Sequence, residues 1–393
     1  MLKRVRIILT VLLLLATVGV DAQVTTASMA GKVTDASNEP IIGATVQAVH
    51  QPSGSRYGTV TNVDGRYSIQ GMRTGGPYRV EISYIGYQTV IYKDITLQLG
   101  EVYNLNVEMS ESSELLNEVI VTAAKTKFTA EKTGATTNIS SAQITQLPTV
   151  NRSISDIARL SPYANGMSFA GGDGRSTNFT IDGANFNNNF GLSSNLPGGG
   201  NPISMDAIEE VQVVVAPFDV RQTNFIGGGI NAITKSGTNT FRGTAYTYYR
   251  NQDMRGNRIN GEDLGARSDE SKTTYGFTLG GPIIKNKLFF FVNYEKEKTP
   301  GEVIKYRARE DGEDAKGMVS RTLKSDMEKV YNHLKDKYGY DAGSYTSFHA
   351  DEENTKILAR IDWNITDRHR LSLRYNNTCL LYTSPSPRDR TRS

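Results

Sequence analysis

Along most of this chain apolar and polar residues alternate, and only a few stretches space apolar residues for a helix. The alternation predicts a mainly β protein. Between residues 28 and 110, short alternating runs occur at 31–34, 44–49, 57–61, 67–69, 78–84, 88–91 and 102–107. Turn signals separate them, among them Asn38-Glu-Pro40, Asp64-Gly65 and Gly75-Gly-Pro77. Seven short strands in so small a span predict an immunoglobulin-like β-sandwich.

From 128 to 237 the pattern changes. Gly and Asn dominate, as in Gly171-Gly-Asp-Gly174, Asn185-Phe-Asn-Asn-Asn189 and Gly198-Gly-Gly200. Short helices are predicted at 153–160, with Ile154, Ile157 and Leu160 on one face, and at 204–210, leading into the apolar strand 211–215. This α+β region is a poor independent core and suits a domain packed inside something larger. Its glycines lack the Lys-Ser or Lys-Thr of a phosphate loop, and Gly227-Gly-Gly229 reads as loop geometry.

After residue 238 the alternation becomes strict. Tyr275, Phe277 and Leu279 alternate with Thr274, Gly276 and Thr278. Leu288, Phe290, Val292 and Tyr294 alternate with Phe289, Phe291, Asn293 and Glu295. Ile357, Ala359, Ile361 and Trp363 flank Arg360 and Asp362, and Leu371, Leu373 and Tyr375 flank Ser372 and Arg374. One face is apolar and the other mainly polar. Strands at 241–250, 273–280, 287–296 and 356–363 are followed by long, short, long and short connections in turn. That combination predicts the strands of a transmembrane antiparallel β-barrel with external loops and periplasmic turns. The second long connection carries Ser325-Asp-Met-Glu328, a capping box, ahead of Met327, Val330, Tyr331, Leu334 and Tyr338 at helical spacing. The acidic runs at 310–314 and 351–353 read as solvated loop faces.

The two ends alter the charge. Lys3, Arg4 and Arg6 precede an apolar run at 7–18 and small residues up to Ala22, a signal peptide over 1–22 with cleavage after Ala22. Residues 379–393 break the strand pattern and resemble the translated read-through of a sequencing adapter, so the native sequence is expected to stop near Thr378. Without these ends, 38 of the 44 basic residues face 39 of the 41 acidic ones. The basic balance vanishes, and a nucleic-acid partner loses its electrostatic footprint. The single cysteine, Cys379, lies in the tail, so no thiol chemistry can be argued. His50 stands alone, and no cofactor or metal site is expected.

One stretch fits neither neighbour. Residues 111–127 form a linker, yet at its centre Glu118, Val119, Ile120, Val121, Thr122 and Ala123 make a β-prone segment. Flexible connectors avoid such runs, because an unpaired strand edge invites association. Alone, the segment reads as a buried strand of either neighbour or as a partner-binding strand.

Particular residues carry resemblances. Gly31 to Asp35, Glu39 to Val46, Thr61 to Ile69 and Ser83 to Tyr87 resemble the carboxypeptidase regulatory-like domain, a non-catalytic sandwich. Leu147 to Asp156, Asn178 to Ala184, Met205 to Val211 and Gly227 to Gly237 resemble the plug domain of TonB-dependent outer-membrane receptors. In combination the chain is similar to Oar-like receptors of the Bacteroidetes type. The resemblance implies a periplasmic sandwich at 28–110, a plug at 128–237 and the start, at 238–378, of an outer-membrane barrel of about 22 strands. With that sandwich before the segment 118–123 and that plug after it, the resemblance implies an unpaired strand that binds a partner. It implies no enzyme. It further implies uptake of a peptide, glycan or metal chelate, driven by TonB with ExbB and ExbD pulling on residues 118–123, with outer-membrane lipid around the barrel and a surface lipoprotein as a further partner. Arg175, Asn178, Asp182, Asn185 and Asn187 are the expected substrate contacts on plug loops facing outside. The alternative is a surface adhesin or binding protein that uses the barrel only as an anchor.

Overall fold

The computed structural model describes residues 24–111, 119–122, 135–147, 149, 151–188, 196–197, 199–215, 217, 222, 226–263, 270–300, 306–343, 351–367 and 369–383. The signal peptide expected at 1–22 lies outside them, as do Glu118 and Ala123.

The N-terminal sandwich is built from β1 (Ala27–Asp35), β2 (Thr45–His50), β3 (Ser55–Val60), β4 (Arg66–Met72), β5 (Gly75–Ser83), β6 (Val90–Leu97), β7 (Val102–Asn104) and β8 (Val107–Met109). One sheet runs β4-β1-β7, with β8 also pairing β1; the other runs β3-β2-β5-β6 and ends in β9 (Val119–Thr122). Inward positions such as Val46, Ala48, Tyr78, Val80 and Ile82 form one buried cluster with Met29, Val33 and Met72 of the facing sheet. Alternation along each strand separates this core from the exposed face.

β9 corrects the expectation of an unpaired linker strand. It pairs in parallel with β6, in register Val90 with Val119, Ile91 with Ile120, Tyr92 with Val121 and Lys93 with Thr122. The physical reason is that β6 would otherwise end the sheet with unsatisfied main-chain groups, and a nearby β-prone segment satisfies them.

The region expected to be a plug, 128–237, contains a mixed five-stranded sheet in which Ala135–Ser140, Ile208–Val215, Gly228–Thr234, Asn178–Ile181 and Ala184–Asn185 lie side by side in that order. The helix expected at 153–160 is confined to Ile154–Ala158; Ile154 and Ile157 are buried, but Leu160 is exposed beyond its end. At 204–210 only Met205–Ala207 is helical, a 3-10 turn, and the strand begins at Ile208. Gly228 and Gly229 open a buried strand rather than a loop. A Cβ on Gly228 would stand 2.5 Å from Phe169 Cγ, so glycine is required there by close approach.

Five antiparallel strands then form one open sheet in chain order: Arg242–Asn251, Ser271–Ile284, Leu288–Thr299, Asp351–Asn364 and Arg370–Thr383. Tyr275, Phe277, Leu279, Ile361, Trp363, Leu373 and Tyr375 are exposed on the outer face, while Thr274, Thr278, Asn293, Glu295, Lys356, Arg360 and Asp362 are buried on the inner one. Apolar-out and polar-in is the lipid-facing pattern. The inner face also packs on the plug, whose core includes Phe291 and Leu358 of the barrel. The last strand continues through Cys379 to Thr383, paired with 351–355, so no break occurs at 379. Main-chain pairing tolerates almost any sequence without proline, and the first proline beyond is Pro385.

In the second long connection the helix runs Lys324–Tyr338 and ends at Gly339 in the left-handed region, φ 61°. The expected capping box does not form: the helix starts two residues earlier than that box requires, with Leu323 at its N-cap and no side-chain cap. Met327, Tyr331 and Leu334 are half-buried, whereas Val330 and Tyr338 are exposed.

Candidate functional site

The chain places three arrangements where the sandwich, the plug and the barrel strands meet. The first is the junction. β8 leads out of the sandwich, Gln88 donates its N–H to the Ser110 carbonyl at 2.9 Å, and Tyr87 bridges Glu111, so the chain leaves beside the start of β6. It returns onto the same edge as β9. The far end of β6 reaches the plug. The Leu99 N–H donates to Glu210 Oε1 at 3.0 Å, and the Leu99 carbonyl accepts from Gln212 Nε2 at 2.5 Å and Asn138 Nδ2 at 3.2 Å. Val24, Leu99 and Ile233 form a small buried apolar cluster beside these bonds.

The second arrangement joins all three parts through charge. Arg73 of the sandwich lies 3.6 Å from Asp362 of the barrel and donates to Ser236 of the plug at 3.3 Å. Asp362 also receives Arg360 Nε at 2.8 Å and Ser372 Oγ at 2.6 Å. Arg360 donates to the Thr234 carbonyl at 2.7 Å and stands 3.8 Å from Asp182, which also meets Arg374 at 3.4 Å. Buried guanidiniums need such dense pairing, because an unpaired charge in this setting is costly. Nearby, Ser55 and Asn364 exchange a hydrogen bond, and the Arg370 guanidinium lies 3.9 Å over the Tyr57 ring. These contacts seat the sandwich on the short-turn end of the barrel strands.

The third is higher in the seam. Lys356 Nζ meets Glu295 Oε1 at 2.8 Å, with only 2% and 3% of their side chains exposed. Glu295 Oε2 accepts from Tyr246 at 2.7 Å and from Ser204 of the plug at 2.9 Å. Arg152 pairs with Asp206 and stacks 4.1 Å over Tyr248. Burial raises the Asp206 carboxyl above its ordinary range, opposed by the Arg152 charge.

The expected substrate contacts are scattered. Arg175 is exposed and paired with Asp173, whose carboxyl those hydrogen bonds hold below its usual range. Asn185 is exposed, and Asn187 is half-buried, donating to Asn178 at 2.8 Å and accepting from the Phe179 N–H at 2.6 Å. Asn178 itself is buried. Asp182 faces the other way. Its side chain is 5% exposed, held in a left-handed turn at φ 50°, and bonded to Thr234 and the barrel arginines beside the short turn 365–369. Asp182 therefore lies at the end opposite the long loops, because those arginines need a buried anion.

His50 is bound within the fold: Nδ1 lies 2.7 Å from Ser53 Oγ, the ring packs 4.9 Å from Tyr78, and burial pushes its pKa down to about 3. Among the described residues no group of His, Cys, Asp or Glu is arranged to hold a metal ion. Sequence reasoning missed Arg73, Arg360, Arg374, Glu295 and Lys356. For Arg360, Arg374, Glu295 and Lys356 the signal was charge on the polar face of otherwise apolar strands; Arg73, between β4 and β5, gave none.

Residues 28–110 match the carboxypeptidase regulatory-like domain, and residues 233–303 match an outer membrane beta barrel domain. The chain is 25% identical to the TonB-dependent transporter Oar of Myxococcus xanthus over 376 residues, 88% of this chain and 33% of that protein. It thus spans about a third of that relative's length. Two solved structures align with part of it: the siderophore receptor PirA from Pseudomonas aeruginosa, at 17% identity and TM-score 0.41, covering 64% of this chain and 35% of that one; and the outer membrane transporter YddB from Escherichia coli, at 18% and 0.43, covering 64% and 34%. The two domain matches and the Oar relative make the chain TonB-dependent receptor-like and indicate an outer-membrane location. These relatives are transporters and receptors, not enzymes.

Proposed function

We propose that the complete protein takes up a nutrient across the outer membrane, as a peptide, a glycan or a metal chelate, and that TonB, with ExbB and ExbD, drives it by pulling on residues 118–123. A plugged barrel passes nothing at rest, and the outer membrane supplies no ATP, so the work of opening has to arrive through a mechanical contact. The observation that carries the reading is the junction. A β-prone segment sits between a periplasm-side domain and the plug sheet, and it is extended and already engaged in strand addition. Strand addition gives affinity through main-chain hydrogen bonds with little dependence on side chains, which suits a partner that serves many receptors.

Substrate then meets the plug on the long-loop side. Arg175, Asn185 and Asn187 remain the favoured contacts, with Asn178 positioning Asn187. Asp182 is assigned instead to holding the plug against the barrel. Deleting residues 118–123 from the complete receptor tests the reading: uptake is lost while surface binding of the nutrient persists. Unchanged uptake overturns it and favours the alternative of a barrel-anchored adhesin, for which the exposed helix Lys324–Tyr338 would be the natural contact.

A further inference from the structure

The mixed sheet of the 128–237 region has an apolar face and a polar one. Ile139, Val211, Ile230 and Phe179 belong to its apolar core. On the other face Asn138, Gln212, Asn231 and Thr180 stand opposite one another in register across four strands. Gln212, Asn231 and Thr180 are buried. Thr180 donates to Asn231 Oδ1 at 2.8 Å, and Asn231 donates to Gln212 Oε1 at 3.3 Å, so the row is hydrogen-bonded along its length. It ends on a peptide group of another domain.

That group belongs to Leu99 of the sandwich, which is held as a ligand is held. Its N–H donates to Glu210 Oε1 at 3.0 Å, and its carbonyl accepts from Gln212 Nε2 at 2.5 Å and from Asn138 Nδ2 at 3.2 Å. Its fully buried side chain packs with Ile233, two positions beyond Asn231 and so on the same face. Both main-chain groups are therefore read by side chains, in a manner indifferent to sequence, while an apolar socket takes the side chain. Apolar residues could cover this face with no loss of stability, so a row of amides in register needs another reason.

We infer that the polar face is a binding subsite for an extended peptide, and that Leu99 of the regulatory-like domain occupies it as a stand-in ligand which a transported peptide displaces. The inference rests on the proposed uptake function and narrows its nutrient to a peptide.

Two further observations support it. Asn138 Oδ1 is buried without a hydrogen-bond partner among the described residues, a spare acceptor beside the Leu99 carbonyl for an N–H that the turn does not supply. The turn itself approaches as closely as a glycine allows. Gly100 has φ 69°, and a Cβ there would stand 2.9 Å from Gln212 Nε2 and from Val24 Cγ1.

The test uses the complete receptor and a blocked peptide, acetyl-Gln-Leu-Gly-Glu-amide, which copies residues 98–101. Gly100→Val puts a β-branched side chain at a left-handed position and against Gln212, which lifts the turn and vacates the subsite. This variant is expected to bind the labelled peptide at least tenfold more tightly than the parent. Methylating the leucine nitrogen of the peptide removes the proton donated to Glu210 and should weaken binding by about tenfold or more. In the parent, excess peptide should accelerate amide exchange at 98–101.

Equal affinity of the two receptors, or indifference to the N-methyl group, overturns the inference. So does a turn that keeps its parental exchange protection in Gly100→Val, because a stand-in has to be displaceable. Exchange at 98–101 that excess peptide leaves unchanged in the parent overturns it whether or not the variant folds. If these tests fail while deletion of 118–123 still abolishes uptake, the proposed function stands without the peptide subsite. If they succeed while that deletion leaves uptake unchanged, the fault lies in the TonB reading instead.

Discussion

The buried pair between Glu295 and Lys356 offers the sharpest test of how the plug is held. The substitution Lys356→Met keeps the length and apolar stem of the side chain and removes its charge. Glu295, 3% exposed, then keeps only the hydrogen bonds from Tyr246 and Ser204. Breaking a buried pair from one side costs about 3–5 kcal/mol, since the remaining charge is uncompensated. The two surviving bonds to a charged acceptor are present in both proteins and do not offset the loss. Because Ser204 precedes the plug strand Ile208–Val215, part of the loss appears as weaker seating of the plug. In the complete receptor, amide exchange along 208–215 should accelerate by roughly a hundredfold, the equivalent of about 3 kcal/mol. The double variant Glu295→Gln with Lys356→Met removes both charges and should recover most of that protection. The reasoning is refuted if the single variant exchanges like the parent, or if the double variant is no better than the single one.

Other outcomes follow from the same geometry. Arg73→Ala removes one charge contact but leaves Asp362 bonded to Arg360 and Ser372, so the sandwich should loosen by only about 1 kcal/mol. A faster exchange of a Ser55→Cys, Asn364→Cys disulfide with added thiol reports it. His50 is neutral in the fold, with a pKa pushed down to about 3, while an unfolded histidine takes a proton near 6.5. Unfolded chains therefore bind the extra proton first, and stability falls as pH drops from about 6.5 toward 3, by about 2 kcal/mol at pH 5. Exchange protection of β2 and β5, corrected for intrinsic rates, should follow that fall, and His50→Gln should flatten it. Gly228→Ala should destabilise the plug by about 1–3 kcal/mol through contact with Phe169, read as a lower midpoint in denaturant.

How much of this was legible in the sequence depended on which faces were wet. The barrel strands face lipid on one side and polar groups on the other, so Tyr275, Phe277 and Leu279 announced themselves by period two. The plug strands Asn178–Ile181 and Gly228–Thr234 are buried along their whole length, which erases alternation and leaves a Gly/Asn run that reads as loop. Asp182 looked like a loop residue for the same reason. Its arginine partners lie 178 and 192 positions further along the chain, a pairing no local pattern encodes. For β9 the sequence showed a strand without a partner, because pairing with β6 is made by main-chain groups that every residue shares.

The segment around Val119–Thr122 is proposed as the handle for TonB, and cross-linking from inside that segment in the complete receptor checks it. A photo-reactive amino acid at position 121 of the complete receptor, activated in living cells, should yield two adducts: one within the receptor to β6, and one to TonB that is absent from cells lacking TonB. Adducts confined to the receptor itself, under conditions in which nutrient uptake proceeds, would contradict the account.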